Sequence, residues 1–252
     1  MRAFFTLVLL SLLTAGCVST APKTEKWAST ERADVHIKLG LDYLRRGQLQ
    51  VAGDEFNLAL QADYRSDGAY HGLAMMKIQQ GVADEAVPLL QKAVRLNPDN
   101  FVARNDFGTF LCGRGQVDDG MRQLKAVVDN PLNTALMGTY LGMGICYQKL
   151  ELLDQAQEYY RRALAIMPSL PQALLPMANI EFRQGDHLPA RAFIERYFGA
   201  GYTSAEALLL GARIEHTLGD QAQTKAYAKQ LWRQFPKSAE AEQARRIQFL
   251  LR

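Results

Sequence analysis

The sequence predicts an all-α fold, an alpha-alpha superhelix or solenoid of six helix-turn-helix repeats closed by a C-terminal capping helix. A column of small residues, Gly40, Ala74, Gly108, Gly144, Ala178 and Ala212, recurs at intervals of 34, 34, 36, 34 and 34 residues. A second column, Ala52, Ala86, Gly120, Ala156, Ala190 and Thr224, keeps the same intervals. A third, Gly47, Gly81, Gly115, Gly185 and Gly219, marks the turn inside each hairpin, where glycine takes a left-handed conformation without steric penalty. Glu151 takes the glycine's place in the fourth unit.

Elements follow in chain order. Arg2, the apolar stretch from Phe4 to Leu13 and the small residues Thr14, Ala15 and Gly16 have the order of a secretory leader over residues 1–16, too short to span a bilayer. Leu13-Thr14-Ala15-Gly16-Cys17 resembles a bacterial lipobox, with Thr14 where leucine is usual and Leu13 one position further back. That resemblance implies lipid on the sulfur of Cys17 and cleavage before it. Val18 stands where an Asp would signal inner-membrane retention, so analogy points to the outer membrane. Residues 17–32, rich in Ser, Thr, Lys and Glu, are expected to form a flexible linker behind the acylated end.

The repeats occupy 33–66, 67–100, 101–134, 137–170, 171–204 and 205–238. Pro98, Pro168 and Pro236 close their second helices, because proline cannot continue a helix. Pro131 comes one position early, and a two-residue excess follows it, which predicts a longer loop between the third and fourth units. Each small residue of the first column should face a bulky one from the second helix, such as Phe56, Leu90, Leu124 or Tyr160, because helices approach to roughly 8–10 Å only where small meets large. Residues 239–252 are left over as the cap, with Ala241, Ala244, Ile247, Leu250 and Leu251 available to cover the last repeat. A period of 34 residues with these columns resembles the tetratricopeptide repeat over residues 33–252.

The composition gives little support to catalysis or to nucleic-acid binding. Formal charge is +3, and removal of Arg2 with the leader leaves 3 − 1 = +2 side-chain charges. There is no basic, aromatic-interleaved face for phosphates. His36, His71, His187 and His216 are scattered over four repeats without metal-ligand spacing, and Gly113-Arg114-Gly115 lacks the Lys-Ser or Lys-Thr of a phosphate loop. Asp118 and Asp119 open a helix, where acidic side chains suit its dipole. The expectation is a non-enzyme with no cofactor, no metal, no nucleic acid and no small-molecule substrate.

With Cys17 lipidated, Cys112 and Cys146 remain, in first helices of consecutive units. They are candidates for a disulfide across the longer loop, or for two buried thiols packing as small apolar groups. Solenoids bind along the concave face, which first-helix positions 2, 5, 9 and 12 line. The candidate groove is therefore Ile37, Leu41 and Leu44 from the first repeat with His71, Met75 and Ile78 from the second. Leu39, Gly40 and Tyr43 are expected to serve internal packing, which leaves the first helix apolar on more than one face; a partner or a folded-back linker with Trp27 would meet it. Leu141, Ile145 and Gln148 give a more mixed lining further along.

The lipobox around Cys17, the six-repeat layout and the stretch Asn105-Asp106-Phe107-Gly108-Thr109-Phe110-Leu111-Cys112 resemble the PilF/PilW pilotins of type IV pilus biogenesis. The resemblance implies an outer-membrane lipoprotein, facing the periplasm, that binds secretin subunits in its groove and promotes their outer-membrane localisation and multimerisation. Its implied partners are the pilus secretin and, through the acyl chains, the membrane. A general envelope scaffold of the same fold, organising cell-wall enzymes or another assembly, fits the same residues.

Overall fold

The computed structural model describes residues 23–133 and 135–248; these residues are helical or in turns, with no strand among them. Helices α1 (Lys23–Arg45) and α2 (Leu49–Ala62) form one compact unit, divided from the rest at Ser66 and Asp67. The second unit holds α3 (Asp67–Gln79), α4 (Ala86–Leu96) behind a 3-10 turn at Ala83–Glu85, α5 (Phe101–Gly113), α6 (Val117–Val128), α7 (Leu136–Lys149) and α8 (Leu153–Ile166). It continues with α9 (Pro171–Gln184), α10 (His187–Gly199), α11 (Ala205–Leu218), α12 (Gln221–Gln234) and α13 (Ala239–Gln248). Successive helices pair as hairpins, and the second helix of each pair packs on the first helix of the next, α4 on α5, α6 on α7, α8 on α9 and α10 on α11. That alternation is the stacking of an alpha-alpha superhelix.

The small-residue columns set the helix approach. A β-carbon added at Gly40 would lie 2.6 Å from the Phe56 ring, one at Gly108 would lie 2.7 Å from Leu124, and one at Gly144 would lie 2.6 Å from the Tyr160 ring. Phe56, Leu124 and Tyr160 are fully buried, as are Leu90 and the alanines at 52, 86, 156 and 190. Each hairpin turn takes a left-handed residue, with φ between 73° at Gly47 and 90° at Gly185; Glu151 adopts the same region at φ 57°. The side chains of Asn100, Ser204 and Asp220 accept from backbone N–H groups of Ala103, Ala207 and Gln223, satisfying free donors at the starts of α5, α11 and α12.

Two expectations need correction. Residues 17–32 were expected to be a flexible linker, but α1 is helical from Lys23, so the first helix starts ten residues before the first repeat window. Its segment Lys-Thr-Glu-Lys-Trp-Ala-Ser-Thr-Glu-Arg carries no proline or glycine and lets the helix of the repeat extend backwards. Leu39 was expected inside, yet it is 43% exposed, and Val35 is 52% exposed. In later repeats the corresponding positions are buried, Ala103 and Phe107, Thr139 and Met143, Ala173 and Met177, because a preceding hairpin covers them. The first repeat has no preceding hairpin among the described residues. Outside the described residues lie the leader, Cys17, Leu250 and Leu251, together with the side chains of Trp27 and Ile247.

The longer connection after Pro131 is present: α6 ends at Val128 and α7 begins at Leu136, against Leu96 to Phe101 and Ile166 to Pro171 at the equivalent joints. At the far end α13 buries Ala241 and Ala244 against Leu208, Leu209 and Leu231, and the Trp232 indole donates to the Ala241 carbonyl at 2.9 Å.

Candidate functional site

The six residues expected to line the groove fall on the two separate units. Ile37, Leu41 and Leu44 are half-buried on α1, where the apolar surface left open is instead Val35 and Leu39. In the second unit Met75 and Ile78 are half-buried, and Ile78 packs against the core of Ala74, Leu90, Phe107 and Leu111. The His71 ring, with 12% of its side chain exposed, is bonded through Nε2 to Asp106 Oδ2 at 2.7 Å, tying α3 to α5. Much of the second-repeat lining is therefore committed to the protein itself.

Cys112 and Cys146 are joined as a disulfide, with their α-carbons 5.0 Å apart and both residues fully buried. It ties α5 to α7 across the lengthened loop. The sulfur of Cys112 occupies the space that a β-carbon on Gly120 would need.

The concave positions of the fourth to sixth repeats form a cleft of about 540 Å³. Gln148 from α7 and Gln172, Leu175 and Asn179 from α9 line it, with Glu206 at the start of α11. Pro171 and Pro176, then Tyr197 and Tyr202, complete the described walls, the two tyrosine rings lying 5.7 Å apart. Gln148 accepts a 2.6 Å hydrogen bond on Oε1 from the Tyr160 hydroxyl. Burial raises the ionisation of that phenol above the ordinary tyrosine range, so it stays a donor and the Gln148 amide keeps its N–H groups free of this bond. Gln148 was legible from its position in the repeat; Gln172, Leu175, Asn179 and Glu206 stand at groove positions of the next two repeats, whereas the prolines and the two tyrosines do not.

Ion pairs to buried carboxylates were not anticipated. Glu181 on α9 and Glu215 on α11 are both almost fully buried, and both come from the position that holds Tyr43 and Tyr147 in other repeats. Arg161 from α8 reaches Glu181 at 3.1 Å, and Arg191 from α10 forms a two-pronged pair with Glu215, its Nε donating at 2.9 Å. Lys77 is charged at the same repeat position, so the column alone did not single out these two carboxylates. Among the described residues no group of three His, Cys, Asp or Glu side chains is placed to hold a metal ion, and no helix is long and apolar enough to cross a membrane.

Tetratricopeptide repeat family models match residues 77–137, 138–169 and 206–238. PilF of Pseudomonas aeruginosa, a type IV pilus assembly protein, is 27% identical over 242 residues, covering 93% of this chain and 94% of its own. The solved PilF structure superposes with a TM-score of 0.73 at 26% identity, over 86% of this chain and 97% of that one. The solved structure of PilW, a widely conserved type IV pilus biogenesis factor, gives 0.72 at 26% identity, over 84% and 97%. Stacked hairpins held in a 34-residue register along a chain so nearly the length of PilF leave one assignment: the chain belongs to the tetratricopeptide repeat proteins, of the PilF/PilW kind.

Proposed function

We propose that this protein is an outer-membrane lipoprotein pilotin, anchored through Cys17 and facing the periplasm, that binds pilus secretin subunits and promotes their localisation and multimerisation for type IV pilus biogenesis. The observation that carries the reading is the likeness to PilF over nearly the whole of both chains. Two physical features support it. The first repeat keeps apolar side chains, Val35 and Leu39, in water, where an amphipathic partner segment gains by covering them. A two- or three-chain acyl anchor binds membrane effectively permanently, at roughly 0.8 kcal/mol for each buried methylene, so cargo held by the repeats travels with the lipid.

Two variants test the reading. Cys17→Ser removes the anchor and leaves the repeats, so secretin should be mislocalised while the variant still binds it; normal outer-membrane secretin multimers in that strain would sink the proposal. Val35→Glu with Leu39→Glu charges side chains that are already exposed, so helicity should persist and secretin capture should be lost. Capture that survives moves the docking surface elsewhere. Recovery of cell-wall synthases from membranes in place of a secretin would make the protein a general envelope scaffold.

A further inference from the structure

We propose that the cleft of the fourth to sixth repeats is a second binding site, independent of the pilotin reading, for an extended peptide segment that carries a basic side chain. Pro176 stands inside α9, past its first turn, where proline normally costs a helix stability. It has no N–H to give to the carbonyl of Gln172 four residues earlier, and both residues line the cleft. The Pro176 ring stands in place of that donor and adds apolar surface to the cleft beside Leu175. At the end of α7, the Tyr160 hydroxyl occupies the oxygen of Gln148 and leaves that amide's N–H groups to donate. A fixed side-chain donor in a cleft lined by prolines and tyrosines matches the unpaired C=O groups of an extended, proline-containing chain, which a helix or paired strand would not offer.

The remaining lining sets the side-chain chemistry. Leu175 and the face of Tyr202, itself 41% exposed, suit a compact apolar residue or proline. Glu206, in the first turn of α11, is the one charge among the described lining residues, none of which is a cation, so charge complementarity calls for Lys or Arg. Neighbouring Arg196 does not compete for it, since its guanidinium donates to the Pro168 carbonyl at 2.8 Å.

The test uses the full chain and an array of proline-containing heptapeptides in matched pairs, one member with Lys and the other with norleucine at the same position. Retention of Lys members should exceed that of norleucine members by about fivefold, the scale of one exposed ion pair. Glu206→Gln should erase the preference, Tyr202→Ala should weaken both members, and Val35→Glu with Leu39→Glu should change neither. Tyr160→Phe, which keeps the packing against Gly144, should weaken both members by freeing Gln148 to turn away. Circular dichroism checks that each variant is folded. Equal retention of both members, a preference that survives Glu206→Gln, no retained peptide, or retention of saccharide strands in their place would overturn the proposal.

Discussion

A methyl group on Gly120 would collide with the sulfur of Cys112 and, at 2.6 Å, with the backbone carbonyl of Gly108. Repeat three alone has glycine in both small-residue columns, and there the two helices meet backbone to backbone. Alanine is accommodated at the equivalent positions 52, 86, 156 and 190, so Gly120→Ala is a test of local closeness and not of helix propensity. It should destabilise the protein by about 1–3 kcal/mol through overpacking, despite alanine being the better helix former. Urea denaturation followed by circular dichroism reads this; an unchanged or raised midpoint would mean that α5 and α6 can separate freely.

The disulfide spans 34 residues of sequence. Closing a loop of that length restricts the unfolded chain and contributes about 4 kcal/mol in the chain-entropy account. Reduction should lower the thermal midpoint of the wild type and leave Cys112→Ser with Cys146→Ser unaffected. The double variant should resemble the reduced protein. Since both residues are fully buried, reduction in the folded state should be slow and should accelerate as the protein unfolds.

The hairpin stack was legible because steric columns are written into residue size: Gly40, Gly108 and Gly144 announce the rings and branches they face. The turn positions were legible for the same reason. Exposure was not, since it depends on what covers a side chain. Val35 and Leu39 occupy positions that are buried in repeats three to five and are exposed in the first because no earlier hairpin among the described residues lies over them. Ile78 and His71 sit at groove positions yet are engaged by the core and by Asp106. The cleft's special feature, Pro176 in mid-helix, is a local violation that the repeat pattern averages away.

Glu215 is a buried carboxylate whose partner, Arg191, comes from the preceding repeat. Replacing Arg191 by Met keeps most of the side-chain packing and strands the carboxylate. The expected loss is about 2–4 kcal/mol, the upper end being typical of an uncompensated buried charge and the lower end allowing for the partly exposed arginine. Adding Glu215→Leu should recover much of that loss. A double variant no more stable than Arg191→Met would show that the pair acts through packing alone.

Alkaline titration tests the buried phenols. Burial raises Tyr160 strongly, and Tyr159 and Tyr227 are raised with desolvation as the largest cause. A raised native value means that the unfolded chain releases its proton first. The stabilisation is therefore whole below the ordinary tyrosine range and falls as pH climbs above about 10, by about 1.4 kcal/mol per pH unit for Tyr160. Tyr160→Phe should be less stable at neutral pH, having lost its bond to Gln148, but should show a shallower alkaline decline. Parallel declines would remove Tyr160 from the effect.

Glu151 holds the left-handed turn position that glycine fills in the other five repeats. Its β-carbon crowds the following carbonyl in that conformation, at a cost of about 1–2 kcal/mol relative to a right-handed residue. The side chain recovers part of this through an exposed ion pair with Arg183 at 2.6 Å, worth about 0–1 kcal/mol. Glu151→Gly relieves the crowding and loses the pair, and glycine also leaves the unfolded chain more freedom. The opposing effects leave an expected gain of about 0.5 kcal/mol, largest at high salt where the ion pair is already screened. Chemical denaturation at low and high ionic strength measures both quantities. A variant less stable than wild type under both conditions would show that the contact with Arg183 outweighs the backbone strain.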